Sequence, residues 1–374
     1  MRKFSVVVVG GGPAGSTAAY RLADAGLSVL LLEKARMPLV KPCGGALTHR
    51  ALSLLPREVV PYIQSHPDRW TLSHPNHTPV TVATPEPYCH VVDRPTFDYA
   101  LVEVASRRGA LIHDGEALVN MAATPAGYLL TTTHSQYEAA YVVAADGAHS
   151  TVARLTKFPL PRLGAAVEGE FLADAHEWEL YANRVEIRLG DVPWGYSWII
   201  PRSGWLNIGV GSFQPSAFPL KQRFLALAAS VAGSRTVSPK GHPLPYRWHY
   251  VSPMTGHTLF VGDAAGYMDA FSAEGIYSAL LTATLASECI IRHITRGDPL
   301  TAYARRFRQE VWPPLRAAAR MSILFYPRAL FWARHFGQDP RLIRDYLDIA
   351  RGYGSYQALQ QHTARTLLHH WFKS

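Results

Sequence analysis

Val6-Val7-Val8-Val9-Gly10-Gly11-Gly12-Pro13-Ala14-Gly15 decides the fold. The valine run reads as a buried strand, and Ala18, Ala19, Leu22 and Ala23 beyond the glycines recur at helical spacing. Strand, tight turn and helix therefore follow one another. Gly10 permits the turn, Gly12 lets the backbone approach a pyrophosphate, and Gly15 lets helix pack on strand; Ala14 lies in the first helical turn, whose unpaired N–H groups suit phosphate. Glu33, with Lys34 beside it, ends the next apolar run, Val29 to Leu32. A carboxylate there accepts hydrogen bonds from ribose hydroxyls and disfavours a 2′-phosphate, so the expected nucleotide is FAD or NAD and not NADP. Arg2 and Lys3 precede the run, but Ser5 to Val9 is too short for the apolar core of a secretory signal.

Two further glycine-acid pairs, Asp146-Gly147 and Gly262-Asp263, turn the expectation to FAD. Asp263 follows Leu259-Phe260-Val261, placing it at a strand end, and a helix that starts near Glu274-Gly275-Ile276 would aim its N–H groups at the flavin. The chain has 374 residues, 48% of them apolar and 17% charged, enough for two or more domains. Cys43, Cys89 and Cys289 are widely spaced and form no CxxC pair, which argues against an iron–sulfur cluster or structural zinc; no metal is expected, and a reducing cytoplasm is. The most apolar stretch, Tyr277 to Ile294, carries Glu288, Arg292 and His293 and reads as a buried helix.

The net charge of +9 is concentrated at the C-terminus, where residues 301–374 hold twelve Lys and Arg against four Asp and Glu. Within Met321 to Arg334, Phe325, Tyr326, Phe331 and Trp332 alternate with Arg328 and Arg334. Two uses suit that mixture. One is an anionic membrane surface, giving a cytoplasmic protein held peripherally on the membrane; the other is a set of helices closing a cavity with solvated arginines outside. No nucleic-acid-binding module accompanies the charge, so nucleic acid is not expected as a partner.

The fold class is α/β: a Rossmann-like FAD-binding domain with an inserted antiparallel β-sheet substrate domain and a helical C-terminal region. Residues 1–55, 90–160 and 256–300 are assigned to a discontinuous FAD-binding domain, 56–89 and 161–255 to the substrate domain, and 301–374 to the basic helical region. Pro67 to Cys89, rich in Pro and His, is expected to be mostly loop. Val185 to Leu189 and Leu206 to Val210 read as strands.

The chain resembles the geranylgeranyl reductase family, within the para-hydroxybenzoate hydroxylase-like flavoproteins, over nearly its whole length. The marks are Lys41-Pro42-Cys43-Gly44-Gly45-Ala46, Arg94 with Phe97-Asp98, Ala145 to Ser150 with Val152 and Arg154, Tyr196-Ser197-Trp198-Ile199-Ile200-Pro201, Gly262 to Gly266 with Glu274-Gly275-Ile276, and Gly354-Ser355-Tyr356. Where relatives usually have Pro and Gly before Glu-Gly, this chain has Ala270 and Ala273. The resemblance implies a reductase that saturates double bonds of a polyprenyl chain, with Cys43, Gly44 and Gly45 facing the flavin, Arg94 and the glycine-acid residues holding FAD, and Tyr196, Trp198 and Pro201 gripping the chain. One nucleotide fingerprint is present, and FAD takes it, so electrons would come from transiently bound NADPH or from reduced ferredoxin docked on the basic tail. An unactivated alkene cannot stabilise a carbanion, so an acid must sit nearby; the sequence alone does not name it, and Cys43 is expected to act at the flavin as a proton donor or a loop-positioning group.

Other functions share these motifs. Gly195 to Pro201 is one substitution from the Gly-Trp-x-Trp-x-Ile-Pro of flavin-dependent halogenases, which need a pocket lysine, and between Lys41 and Lys157 there is none. A flavin-dependent monooxygenase would share the glycine-acid motifs without Pro-Cys-Gly-Gly. A non-catalytic flavin- or lipid-binding protein is the remaining alternative.

Overall fold

In the computed structural model, which describes residues 2–214, 219–233, 235 and 237–371, the valine run lies in the strand Arg2–Val9, inside an eight-stranded sheet. Five strands run parallel in the order Thr258–Phe260, Gln136–Ala144, Arg2–Val9, Val29–Glu33 and Leu111–Asp114. Parallel strands are covered on both faces, which is why residues 6–9, 29–32, 142–144 and 259–260 are apolar runs that do not alternate. The helix Pro13–Asp24 packs against both Arg94–Arg107 and Ile276–Arg296. Register then gathers the motifs. Val9 lies beside Leu32 and Ala144, and Ala144 beside Phe260, so Gly10, Glu33, Asp146 and Gly262 all fall at the carboxyl edge of one sheet.

The second sheet has seven strands, in the order Lys240–Tyr246, Arg162–Leu172, Trp205–Ser212, Gly195–Arg202, Arg184–Arg188, Arg69–His74 and His77–Ala83. All pairs are antiparallel except Arg184–Arg188 with Arg69–His74. One face packs on the helix Leu220–Ala232 through Ile199, Leu206, Ile208 and Val210. Residues 69–83, expected to be mostly loop, instead form two strands at the end of this sheet. Trp70 and Leu72 point to the buried side at period two, and Pro79 is tolerated because its strand is an edge. A small third sheet joins Ala46–Thr48 and Ile63–Ser65 to Cys89–Val92, anchoring the loop that carries Cys43.

The C-terminal region forms the helices Trp312–Phe325, Ala329–Gln338, Arg341–Arg351 and Tyr356–Trp371. Its aromatic residues turn inward. Phe325 stacks on Trp332 with ring centroids 5.6 Å apart and on Phe336 at 5.9 Å, and Tyr326 is buried beside them. Phe325, Tyr326 and Trp332 thus face the interior, and Phe331 is half-buried. Arg316, Arg320, Arg328 and Arg334 remain exposed. No described helix is long and apolar enough to cross a membrane.

Arg247 ties the two sheets together. Its buried guanidinium donates to the carbonyls of Pro159 and Leu160, where the chain leaves the first sheet, and of Ala265, where it has returned, and it lies over the rings of Phe158 and Tyr267. Truncation would leave these carbonyls unpaired at about 1–3 kcal/mol each when buried. Arg247→Ala is expected to lower the urea midpoint by several kcal/mol equivalent with an unchanged m-value; a shift under about 0.5 kcal/mol, within the range of an ordinary surface substitution, would show that the crossover is held by other contacts.

Candidate active site

A cavity of about 310 Å³ opens at the carboxyl edge of the parallel sheet and continues beneath the second sheet to the C-terminal helices. At one end it is lined by Gly12, Pro13, Ala14, Gly147, Asp263 and Gly275. At the other it is lined by apolar side chains, among them Trp70, Leu72, Ile187, Phe325, Trp332 and Phe336. The loop Lys41–Ala46 lies at the cavity between the two regions.

The polar end fits FAD. Gly10 has φ +106°, and a Cβ there would fall 2.3 Å from the carbonyl oxygen of Ala145; a Cβ on Gly15 would fall 1.8 Å from that of Gly10. Gly12 is different. A Cβ there would meet nothing within 4 Å, so its bare backbone faces open space in the cavity wall. The helix Pro13–Asp24 begins at Gly12 and Ile276–Arg296 at Gly275, and no side chain caps either. Both starts line the cavity, leaving N–H groups and the positive end of each helix dipole to meet an anion. Glu33 is buried at the next strand end, accepting from the backbone N–H groups of Gly11 at 2.8 Å and Ala35 at 2.9 Å.

Several expected cofactor contacts are placed otherwise. Lys34 is exposed, outside the cavity lining. The Asp146 carboxylate turns back on its own loop, accepting from Ser150 Oγ and from the N–H groups of Thr151 and Val152, so it caps the helix Thr151–Leu155. Glu274 is held by Thr48 and, at 2.6 Å, by Arg50, so its carboxylate clamps the start of the long helix to the neighbouring segment. Gly262, with φ +54°, donates its N–H to Thr282 and packs on Ala14 and Ala279. Asp263 does line the cavity, paired with Lys41 at 3.4 Å. Ala273 keeps φ +56°, the left-handed conformation that glycine would favour there.

Tyr196, Trp198 and Ile200 share the face of Gly195–Arg202 that lines the cavity, and Pro201 lies outside that lining with its carbonyl bonded to Ser65. Alternation explains the correction: a residue odd with respect to Tyr196 and Trp198 must face the other way. The Trp198 indole lies against bare backbone, for a Cβ on Gly209 would fall 2.1 Å from the ring. Its Nε1–H donates to Asn207 Oδ1 at 2.7 Å, and Tyr196 donates to the Ser272 carbonyl at 2.5 Å. Gly44 approaches the same wall, where a Cβ would meet Ile200 at 2.6 Å and Trp198 Nε1 at 3.4 Å. Gly45, at φ +71°, passes too close to the Val92 carbonyl for any side chain. Cys43 thus sits on a loop pressed between wall and helix. Its thiol accepts from Gly45 N at 3.5 Å and contacts Arg94, whose buried guanidinium makes two bonds to Asp98, at 2.9 and 2.7 Å.

A carboxyl not foreseen from the sequence lines the cavity between these groups. Glu168, on Arg162–Leu172, is 6% exposed; it accepts from the Cys43 backbone N–H and is hydrogen-bonded to Asn207. Burial pushes its pKa up to about 7, with the charge of Glu170 acting in the same sense and the two hydrogen bonds against it. Glu170, by contrast, is paired with a cation, bonded to Arg202 at 2.6 Å and to Asn207 Nδ2 at 3.1 Å. The signal in the sequence was Glu168-Gly169-Glu170, two acids sharing one face of a strand whose neighbours are apolar. His242 lines the same wall, and burial, reinforced by Lys41, pushes it down to about 4, so it is neutral near pH 7.

The sequence model of a family described as FAD binding domain matches residues 3–176. Digeranylgeranylglycerophospholipid reductase 1 of Methanopyrus kandleri is 30% identical over 335 residues, covering 83% of this chain and 86% of that protein. The chloroplastic geranylgeranyl diphosphate reductase of Nicotiana tabacum is 28% identical over 362 residues, covering 87% and 75%. Among solved structures, a geranylgeranyl bacteriochlorophyll reductase-like protein of Thermoplasma acidophilum superposes with a TM-score of 0.74 at 21% identity, covering 86% of this chain and 87% of that one. The flavin-dependent brominase Bmp2 superposes with a TM-score of 0.75 at 17% identity, covering 97% and 99%. At such identities these two likenesses establish a common fold only; the sequence relatives, which span most of the chain, carry the assignment. The chain belongs to the geranylgeranyl reductase family of FAD-dependent oxidoreductases.

Proposed function

We propose that this enzyme saturates carbon–carbon double bonds of a polyprenyl chain. The observation that carries the reading is the continuity of one cavity from two uncapped helix starts to a chamber walled by apolar and aromatic side chains. Bound FAD, once reduced, supplies a hydride. Gly12, Ala14 and the helix starts would hold its phosphates and ring, with Asp263 and Glu33 as acceptors for its hydroxyls. Trp198 and Tyr196 offer flat surface to isoprene units while their polar atoms stay paired within the protein. Arg94 holds Cys43 and its loop against that wall, and the C-terminal aromatics exclude water from the chamber. NADPH or reduced ferredoxin is the proposed electron donor, and the exposed arginines of the C-terminal helices are the proposed contact with ferredoxin or an anionic membrane.

Mass spectrometry of a prenyl-lipid panel incubated with reduced enzyme tests the reading, each saturated bond adding two hydrogens. No gain with any prenyl compound, from enzyme that is fully flavin-loaded, would overturn it.

Gly12→Val places its side chain in open space, so the protein is expected to fold with its normal melting temperature while FAD affinity falls at least about tenfold, about 1.4 kcal/mol. Full flavin content in the purified variant would move the pyrophosphate elsewhere. Gly209→Val must displace the Trp198 indole. The expected result is a raised KM for the prenyl substrate, by about 10-fold, with flavin content intact; an unchanged KM removes Trp198 from the substrate wall. Replacing Arg328 and Arg334 together with Gln should weaken binding to anionic liposomes or ferredoxin at low salt, leaving dithionite-driven turnover of a short soluble prenyl substrate unchanged. Unaltered binding to both partners would confine these arginines to a role in solubility.

A further inference from the structure

We propose that Glu168 is the general acid of the reaction, delivering a proton to one alkene carbon from a position fixed by Asn207 and the Cys43 backbone. The proposal rests on the reductase reading above.

Three carboxyl groups line the cavity among the described residues, and they are sorted by their partners. Asp263 is ion-paired with Lys41, and Glu274 with Arg50. Glu168 has no cation among its hydrogen-bond partners. Its surroundings are Glu170 on its own strand, Asn207 on Trp205–Ser212, the Cys43 loop, and Arg94, whose favourable influence on the charged form ranks below burial and Glu170. Lys240, its register partner on the adjacent strand, is exposed. A carboxyl so placed is still partly protonated near pH 7, where an alkene reduction needs a proton, while Glu170, two residues along the same face, is ion-paired with Arg202. That difference in partners between two neighbouring acids assigns acid and counter-charge.

Several other polar groups on the walls are committed elsewhere. The hydroxyls of Tyr196 and Tyr326 donate to the carbonyls of Ser272 and Phe271, Trp198 donates to Asn207, and His242 is neutral. The step balances with Glu168 as donor. The alkene π pair forms a bond to the carboxyl proton at one carbon, and a hydride from reduced FAD closes the other. FAD is left oxidised by two electrons, and the Glu168 carboxylate recovers its proton from water.

Glu168→Gln keeps the shape and the contacts to Asn207 and Cys43, and tests the role in single-turnover experiments on the FAD-loaded enzyme. Reoxidation of dithionite-reduced enzyme by a prenyl substrate should slow on the order of 100-fold, with the rate of flavin reduction by dithionite unchanged. In the wild type the reoxidation rate should fall as pH rises through about 7, as the acid loses its proton, and this limb should be missing in the variant. Infrared difference spectra of oxidised holoenzyme supply a readout independent of turnover: a protonated-carboxyl band should disappear across the same pH range and be absent from Glu168→Gln. Equal reoxidation rates with an identical pH limb in both proteins, or a Glu168 already ionised at pH 5.5 on the order of a unit below the expected transition, would overturn the assignment while leaving the reductase reading intact. Failure of fully loaded wild-type enzyme to be reoxidised by any prenyl compound would instead overturn the reductase reading, and the assignment with it.

Discussion

Two helices that begin on glycine without a side-chain cap govern the architecture of this enzyme. A capping Ser or Asp at Gly12 or Gly275 would satisfy one of the first-turn N–H groups, at a gain of roughly a few tenths of a kcal/mol over glycine. The chain forgoes it at both places and directs the unsatisfied donors into one cavity. The parallel register makes the two starts meet, because Val9, Ala144 and Phe260 lie side by side and release their loops at one edge. The second sheet, the Cys43 loop and the C-terminal helices then enclose what those donors are able to bind.

The nucleotide half was legible because its constraints are local. A valine run, three glycines and an acid fix strand, turn and helix within about thirty residues, and the structure repeats that order. The Tyr196 and Trp198 pair was legible for the same reason, as period two on one strand. Pro201 was misread by following a motif past the point where alternation reverses. For Asp146 and Glu274 the sequence shows that an acid is near the cofactor edge, but not that Ser150, Thr48 and Arg50 come to claim its oxygens. Residues 69–83 were obscured by proline and histidine that an edge strand tolerates. The C-terminal aromatics were ambiguous in principle: an amphipathic helix facing a cavity and one facing lipid have the same composition, and only packing of Phe325 on Trp332 and Phe336 distinguishes them.

The acids show how environment divides one side-chain type among several tasks. Asp146 caps a helix, Glu274 clamps two segments, Glu33 orders the glycine turn, and Glu170 anchors Asn207 and Arg202. Each is satisfied by donors. Glu168 is the member with no cation among its hydrogen-bond partners, and burial at the cavity wall pushes its pKa up to about 7.

Part of the chamber's far wall is made of side chains from helices that come after the last segment of the parallel sheet. Phe325, Trp332 and Phe336 touch one another, and none belongs to the strands or turns beside FAD. Reach and redox are therefore encoded in separate stretches of chain. On the proposed reading, exchanging a large ring for a small one at the far wall would lengthen the space for an isoprenoid and change which of its bonds lies opposite the flavin, with the glycine turn, the Cys43 loop and Glu168 left as they are. Selection for a new lipid can work on that wall as a movable stop, at a distance from the chemistry it directs.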